Sequence, residues 1–482
     1  MGKELEKEKT VIIDDPMTPV PLNQRQHWTA PAFIFGGLEF SVTLLMIGST
    51  LIGAFGLKGI IPVVLFTFIC LTWVGNAISG YMGAKTGLSS SVIAKQGFGD
   101  KQAKFIIALV IGVISMGWWA VQTSVTGNAF CAVLGIDYTV NRTAWMITTI
   151  VAGILFAIPS VIGYSSMKWT DYFAVPGGIL LCIVGIYLAL KNIGWSNIIS
   201  YEGSGEISFA AGVTMILGMN VSQFVISADY TRYAKPCWKD NILIPIGIVA
   251  IGIPLLFIGA IMGAGNGTAD IVAVMENLGF PIWGFIVLWL AAWTSQLVNN
   301  YTMGLSFSNM LNIKTNKGRA IVTAAGTFLS LLLCFTGILE NLQKLLSLAA
   351  LLYPAIAGVM FVDFFLRKGV WEDKQGWNFM ATIAMIVGIA VGYITTYVVV
   401  IGIPPAQSLI ITGITYYVIV DPNALITDES QGVYQFSPRL QGTDATKDSN
   451  FFAKDNSSIN GKSHTFGYSN PITMYEESNY SN

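Results

Sequence analysis

The chain has 482 residues, of which 53% are hydrophobic and 11% are charged, and its formal net charge at pH 7 is -1. Soluble proteins have about 25% charged residues, so this composition excludes an ordinary soluble domain, and the near-zero charge gives no sign of a nucleic-acid partner. Many apolar runs of ~18 residues or more predict an all-α integral membrane protein. The two histidines, His27 and His464, lie in the tails, and the spans hold no nucleophile–base set or metal cluster. We therefore expect neither an enzyme nor a resident cofactor.

Twelve apolar segments lie between two polar tails, residues 1–27 and 422–482. The second tail is rich in Asn, Ser, Asp and Gly and is expected to be disordered. The spans are predicted at about 29–57, 60–84, 104–134, 143–164, 168–190, 207–230, 241–265, 282–311, 320–338, 342–366, 377–401 and 404–420.

Lys and Arg residues predict how these spans are oriented. With the N-terminus inside, the loops that face the cytoplasm hold most of the basic residues, which is the bias that sets membrane topology. Both tails are then cytoplasmic, and we expect a multi-pass protein of the plasma membrane.

Spans 1 and 6 differ from the others because glycine and polar residues interrupt them at mid-depth. Span 1 is predicted to break around Gly36 and Gly37 in FGGLEF (35–40), and span 6 at GMN (218–220). They are five spans apart, and because five is odd, a five-span repeat inserts its second copy with opposite topology. Glycine-interrupted segments at corresponding positions of two inverted halves indicate the binding site of a transporter. The predicted membrane domain, 28–421, then contains two repeats and two accessory helices, at about 29–190, 207–366 and 377–420.

Trp118 and Gln122 in span 3 are four residues apart, so they share one face of a helix. An indole ring with an amide one turn away can stack on a planar heterocycle and hydrogen-bond its edge. Interfacial tryptophan is the alternative, but Trp118 lies near the middle of the span.

Span 8 carries Ala291, Thr294 and Ser295 within about one turn, and Asn299 and Asn300 follow. Carbonyl and hydroxyl oxygens suit a small hard cation, and an asparagine amide suits the polar edge of a nucleobase. Hydrogen bonding between helices is the alternative for all of these side chains.

Glu39 is a carboxyl group near the middle of span 1. At that depth it is protonated, pairs with a cation or carries a proton, so it is a candidate coupling residue.

Five segments resemble the nucleobase–cation symporter family that includes bacterial cytosine permease. They are GYMGAKTGLSS (80–90), MGWW (116–119), SADYTRYAK (227–235), WTSQLVNNYTMGLSFSNML (293–311) and YPAIAGVMFVDFFLRK (353–368). The resemblance runs in order from about Trp28 to Pro422.

The resemblance implies a leucine-transporter-type fold, with two inverted five-helix repeats plus two helices, and transport by alternating access. It implies a substrate site at Trp118, Gln122, the span 6 break at Gly218, Met219 and Asn220, and the span 8 asparagine Asn300. It implies that Asn300 binds the polar edge of the substrate. It also implies a sodium site formed by the carbonyls of Gly37 and Phe40 with Ala291, Thr294 and Ser295. We also expect Asn299 in the substrate site, from the chemistry of its amide.

The sequence departs from the family at two positions. Asn220 stands where the family has a second stacking aromatic residue, and Glu39 replaces a small residue between the two sodium-ligating carbonyls. The expected protein is a monomeric symporter that imports a nucleobase of the cytosine, purine or uracil class with Na+ or H+. The alternatives are hydantoin, allantoin, a pyrimidine vitamin precursor or an amino acid as substrate, or a role as a nutrient sensor.

Overall fold

The computed structural model describes residues 17–138, 140–264, 271–339, 341–369, Trp371 and 374–420. Within helices, the side chains of Ser165, 168–175, Ala291 and Gln343 are outside this description. The described residues are helical or irregular and form no strand apart from one isolated bridge between Gln26 and Ala234. Residues 1–16 and the predicted C-terminal tail lie outside the described residues.

The helices follow one another from Thr29 to Ile419. In the first half they are α1 (Thr29–Glu39), α2 (Val42–Leu65), α3 (Trp73–Thr86), α4 (Ser90–Phe98), α5 (Asp100–Gln102), α6 (Ala108–Val133), α7 (Arg142–Ile162), α8 (Tyr164–Asn192) and α9 (Trp195–Ile199). In the second half they are α10 (Phe209–Asn220), α11 (Gln223–Ile226), α12 (Ala228–Thr231), α13 (Trp238–Asn241), α14 (Ile246–Gly263), α15 (Ile271–Asn277), α16 (Ile282–Met310), α17 (Asn316–Cys334), α18 (Leu342–Leu366), α19 (Phe379–Tyr393) and α20 (Pro404–Ile419). A 3-10 turn and three π-helical segments complete the description: Leu22–Gln24, Phe66–Thr72, Ala103–Ile107 and Ile394–Val398.

Eight helical runs in the described part are long and apolar enough to cross a bilayer, and a bent pair makes nine. One run, Val42–Thr86, has 45 residues. A straight helix of that length would span ~67 Å, about twice the ~30 Å of a hydrocarbon core. Gly56 kinks it at φ +64°, where a Cβ would overlap the carbonyl of Tyr201. The run therefore covers more than one crossing, and the total of twelve stays a prediction.

The first helical break lies at Phe40 and Ser41, just after the predicted position at Gly36 and Gly37. Glu39 ends α1, and the Ser41 side chain caps α2 by accepting a hydrogen bond from Thr43 N at 3.2 Å. Gly36 stays helical. A Cβ there would lie 3.4 Å from the Gly247 carbonyl oxygen. The closest approach is on the other helix, where a Cβ on Gly247 in the first turn of α14 would overlap the Ala32 carbonyl oxygen. Gly36 thus lies where two helices pack closely, and the glycine pair does not mark where the helix opens.

The second break lies at Val221 and Ser222, because α10 ends at Asn220 and α11 begins at Gln223. The two parts, Phe209–Asn220 and Gln223–Thr231, are bent by 42°. Val221 N still bonds to the Leu217 carbonyl at 2.7 Å, so the chain bends without fully unwinding.

Each helix of the first predicted repeat has a counterpart five spans later in the second. A contact between two helices is matched by a contact between their counterparts. α1 and α2 pack on α14, and α11 and α12 pack on α3. α8 packs on α1 and α16, and α18 packs on α10, α11 and α6. α7 and α17 each contact both α6 and α16, which contact each other. Two inverted repeats would give this pattern, and the bounds of the two repeats stay a prediction.

The end of the predicted N-terminal tail is packed against the membrane domain. Gln26 N donates to the Tyr233 carbonyl at 2.6 Å, and Lys235 N donates to the Gln26 carbonyl at 3.1 Å. Val20 N donates to the Gly87 carbonyl at 3.0 Å, and Val20 is fully buried. Residues 20–26 therefore join the chain after α12 to the chain after α3, and we call them the N-terminal strap.

Candidate functional site

The break between α1 and α2 is the centre of the candidate site, and α16 contacts its first side. Thr294 Oγ1 donates to the Gly37 carbonyl at 2.6 Å, and Ser295 Oγ donates to the Leu38 carbonyl at 2.8 Å. Hydroxyl and carbonyl oxygens thus converge at the end of α1, and such neutral oxygen ligands suit a small hard cation. Ser295 meets Leu38 rather than the predicted ligand Phe40. The side chain of the predicted ligand Ala291 lies outside the description.

Gln122 on α6 contacts the second side of the break. Its Nε2 donates to Ser41 Oγ at 2.9 Å and to Thr43 Oγ1 at 3.2 Å. Its buried Oε1 has no hydrogen bond within the described part of the chain, so an acceptor remains for a ligand. Trp118, one turn earlier on the same face, is 5% exposed. The structure therefore places the Gln122 amide beside the break, and Trp118 lies one turn away on the same face of α6.

Span 6 contributes Gly218 and Met219 near the end of α10. A Cβ on Gly218 would meet only Ala350 Cβ, at 4.0 Å, so no main-chain contact requires a glycine there. Met219 is 9% exposed. This open space beside the helix end leaves the backbone of α10 accessible to a ligand.

Glu39 contacts span 6 on a third side of the break. Gln223 Nε2 donates to Glu39 Oε2 at 3.0 Å and to Asn220 Oδ1 at 3.4 Å, and all three side chains are buried. Gln223 is not among the predicted site residues. Its polar side chain, three residues after Asn220 in an apolar span, was the available signal. Glu39 is thus directed away from Thr294 and Ser295, although it lies between the predicted sodium-ligating carbonyls in sequence.

The two adjacent asparagines of α16 have different surroundings. Asn300 is fully buried, its Nδ2 donates to Ser160 Oγ at 2.9 Å, and its Oδ1 accepts from Thr327 Oγ1 at 3.0 Å. Its amide therefore links α16 to α7 and α17, in contrast to the expectation that it binds the substrate edge. Asn299 is 7% exposed, and its Nδ2 bonds to the Ser295 carbonyl of its own helix at 2.8 Å. Asn299 lies one turn after Ser295, on the face turned towards α1.

Comparison with known proteins identifies the family of this chain. Residues 19–418 match the family model described as permease for cytosine/purines, uracil, thiamine, allantoin. The chain belongs to this permease family. The match covers most of the molecule, confirms the predicted family and makes the chain a multi-pass membrane transporter.

Individual relatives agree with this assignment. The cytosine permease of Escherichia coli strain K12 is 25% identical over 413 residues, which is 84% of this permease and 93% of the relative. The hydantoin permease of Microbacterium maritypicum is 23% identical over 357 residues, 64% of this permease and 69% of the relative.

A solved structure shares the fold. It is Mhp1, a nucleobase-cation-symport-1 family transporter, in a closed conformation with bromovinylhydantoin bound. The TM-score is 0.70 at 18% identity, over 84% of this permease and 93% of Mhp1. The predicted all-helical transporter fold is thereby confirmed.

Proposed function

We propose that this permease imports a planar heterocycle of the nucleobase class (cytosine, purine or uracil type) together with Na+, by alternating access. The observation that carries the proposal is the convergence of Gln122, Thr294 and Ser295 on the break in span 1. Trp118 lies one turn from Gln122 on the same face of α6. The family, whose described substrates include cytosine, purines and uracil, supports the same class.

The substrate stacks on the Trp118 indole, whose flat face accepts any planar aromatic ring. Gln122 Oε1 accepts a hydrogen bond from a ring N–H or amino group, and Asn299 and the backbone at Gly218 and Met219 contact the remaining polar edge. Asn300 holds α16 in place. Asn220 stands where a second ring would stack, so the substrate lies between one aromatic and one polar wall.

The coupling ion lies between α1 and α16, held by the Gly37 carbonyl and by Thr294 and Ser295. Predicted ligands Phe40 and Ala291 complete the set. One positive charge moved inward at 100 mV contributes ~2.3 kcal/mol, roughly a fiftyfold concentration ratio of the substrate. Ion binding fixes α1 against α16. The substrate contacts the same break, so the ion and the substrate stabilise the same arrangement of the helices. Binding of one therefore favours binding of the other.

A matched pair of tryptophans tests the site. Trp118 lies on the face of α6 turned to the break, whereas its neighbour Trp119 is buried against Ala157 and Leu331. Trp118→Leu should weaken binding by roughly ten- to hundredfold, because stacking of a base on an aromatic ring contributes about 1–3 kcal/mol. Trp119→Leu should lower the melting temperature and leave the affinity of the folded protein unchanged. Equal affinity in the Trp118 variant and wild type would refute the site.

The substrate and the ion are tested by binding and uptake. A thermal-shift panel of nucleobases, hydantoin, allantoin, a hydroxymethylpyrimidine and amino acids, with purified protein, separates the nucleobase class from the alternatives. The hydantoin permease relative makes hydantoin the second candidate. Uptake into proteoliposomes with and without Na+ at fixed pH then tests the ion, and Na+-independent uptake would assign the coupling to H+.

The remaining assignments belong to the same proposal. The permease acts as a monomer in the plasma membrane with both termini cytoplasmic, and residues 422–482 have no part in transport. Deletion of residues after Pro422 should leave uptake intact if the tail is only regulatory, whereas loss of uptake would show that the tail takes part in transport.

A further inference from the structure

One face of α16 carries buried polar side chains over several turns. Ser295, Thr302, Ser306 and Asn309 are spaced so that they lie on one side of the helix, and each is at most 2% exposed. We call these four residues the polar row. At a rise of ~1.5 Å per residue, the row runs for about 21 Å from the proposed Na+ ligand Ser295 towards the end of α16 that is predicted to be cytoplasmic.

Asp229 on α12 lies beside the middle of the polar row. The hydroxyl group of its neighbour Tyr230 donates to the Val298 carbonyl at 2.8 Å and contacts Thr302 Oγ1. Asp229 Oδ1 accepts a hydrogen bond at 2.7 Å from the main-chain N–H of Ser90, the first residue of α4. The hydroxyl groups of Ser90 and Thr302 both lie next to the Asp229 carboxyl group. Residues of α4, α12 and α16 thus meet at one buried carboxyl group.

Several oxygen atoms at this junction make no hydrogen bond within the described part of the chain. They are Asp229 Oδ2, the hydroxyl oxygens of Ser90, Ser91 and Ser306, and Asn309 Oδ1. The other end of the Asn309 amide is engaged, because its Nδ2 donates to the Ser91 carbonyl at 3.2 Å. Buried polar groups of native proteins almost always have partners. Five such oxygens at one junction therefore indicate water or an ion as their partner.

The chemistry of the junction favours a monovalent cation. Carboxyl, hydroxyl and amide oxygens are the ligands that hard cations prefer. Among the described residues, no group of three Asp, Glu, His or Cys side chains could hold a metal ion, so Asp229 supplies the charge alone. The guanidinium group of Arg232 acts on this carboxyl group, and its Nη2 bonds to the hydroxyl groups of Tyr233 and Tyr301 at 2.7 and 3.1 Å. One carboxylate beside a positive charge suits a weakly held Na+ better than a divalent ion.

We propose that Asp229, Ser90 and Thr302 form a second Na+ site, which the coupling ion occupies after it leaves the first site on its way to the cytoplasm. The proposal rests on the proposed function and adds a release step to it. Seven residues separate Ser295 from Thr302, so the two sites are about 10 Å apart along α16. Arg232 keeps the second site weak, and a site on an exit route must release what it binds.

The remainder of the polar row leads from the second site towards the end of the helix. Ser306 and Asn309 lie about one and two turns beyond Thr302, and their oxygens can replace water around a moving cation. Na+ on Asp229 Oδ2 leaves the hydrogen bond from Ser90 N to Oδ1 intact. The carboxyl group can therefore hold α12 to α4 and bind the ion at the same time.

Equilibrium binding of radioactive Na+ to the purified full chain tests the second site directly. Wild type should show a strong and a weak component. Asp229→Asn should lose the weak component, because the amide oxygen still accepts from Ser90 N but carries no charge. Ser90→Ala should weaken that component roughly tenfold, whereas Ser308→Ala, at a buried serine on the far side of α16, should leave both components unchanged. Binding by Asp229→Asn that equals wild type overturns the proposal.

Uptake by right-side-out membrane vesicles tests the release step, with the heterocycle that gives the largest thermal shift. Asp229→Asn should lower the maximal rate several-fold without raising the external Na+ concentration for half-maximal uptake, because the first site is intact. Asp229→Glu keeps the charge and should retain part of the rate. An unchanged maximal rate in Asp229→Asn overturns the release role.

The binding measurement also separates this proposal from the proposed function, since it needs no substrate. If wild type shows only the component that Asp229→Asn removes, and uptake is independent of Na+, the proposed Na+ coupling is wrong and the second site stands. If Na+ drives uptake and Asp229→Asn binds Na+ like wild type, the proposed function stands and the second site is wrong.

Discussion

Replacing the two adjacent asparagines of α16 one at a time should separate helix packing from substrate binding. The Asn300 amide makes two hydrogen bonds between helices, with Ser160 and Thr327. Such a bond contributes about 0.6 kcal/mol on average within a membrane, so Asn300→Ala should lower the free energy of unfolding by roughly 1–1.5 kcal/mol. The Ser160 hydroxyl also donates to the Ala157 carbonyl at 2.7 Å, and the single proton of the Thr327 hydroxyl has an alternative acceptor in the Thr323 carbonyl at 2.8 Å. The cost stays near that value because neither is left unpaired.

Asn299→Ala should show the opposite result. Asn299 makes its hydrogen bond within α16 and lies on the face turned towards α1, so its loss should affect stability little. One hydrogen bond to a substrate contributes about 1 kcal/mol, so affinity should fall roughly fivefold to tenfold.

The assay is thermal unfolding of each variant in detergent together with titration of the ligand that gives the largest thermal shift. Asn300→Ala should melt earlier and, while folded, bind like wild type. Asn299→Ala should melt like wild type and bind more weakly. If Asn300→Ala instead binds about tenfold more weakly at an unchanged melting temperature, the amide serves the substrate and its assignment to helix packing is wrong.

Further predictions concern the ion, the scaffold and the strap. Thr294→Val and Ser295→Ala should each raise the Na+ concentration for half-maximal uptake roughly tenfold or more, because a bond to a charged group contributes about 1.5–3 kcal/mol. An unchanged concentration would show that the hydroxyl group does not bind the ion. Arg319→Met should lower the free energy of unfolding by roughly 2–4 kcal/mol, because the buried guanidinium donates to three carbonyls at the end of α7. Near-wild-type stability would show that these hydrogen bonds do not hold α17 to α7. Gln26→Pro removes the N–H that joins the strap to the end of α12 and should speed alkylation of the buried Cys237; an unchanged rate would show that the strap does not shield this end.

The family and the helical fold could be predicted from the sequence because both depend on long patterns. Apolar runs identify membrane helices whatever their partners, and the resemblance rests on five separated motifs. The i, i+4 spacing of Trp118 and Gln122 predicted their shared face, which is a property of one helix alone.

Details that depend on two elements at once could not be predicted in this way. Gly36 was a plausible helix break in sequence, but its neighbour Gly247 makes it a packing contact. Asn300 could have faced the substrate or another helix, and only the positions of α7 and α17 decide between them. Glu39 lies between predicted sodium ligands along the chain, yet successive residues of a helix point about 100° apart. Its side chain therefore reaches span 6.

The matching positions of Glu39 and Asn220 have a consequence for the resting orientation of the permease. In a transporter whose two halves exchange roles, identical halves would make the outward and inward states equal in free energy. Here one half presents a carboxyl group and the other a carboxamide at corresponding places. The outward and inward states therefore differ in free energy. A full reversal of the resting preference from 1:99 to 99:1 needs about 5.5 kcal/mol, which the binding of substrate and ion would have to supply.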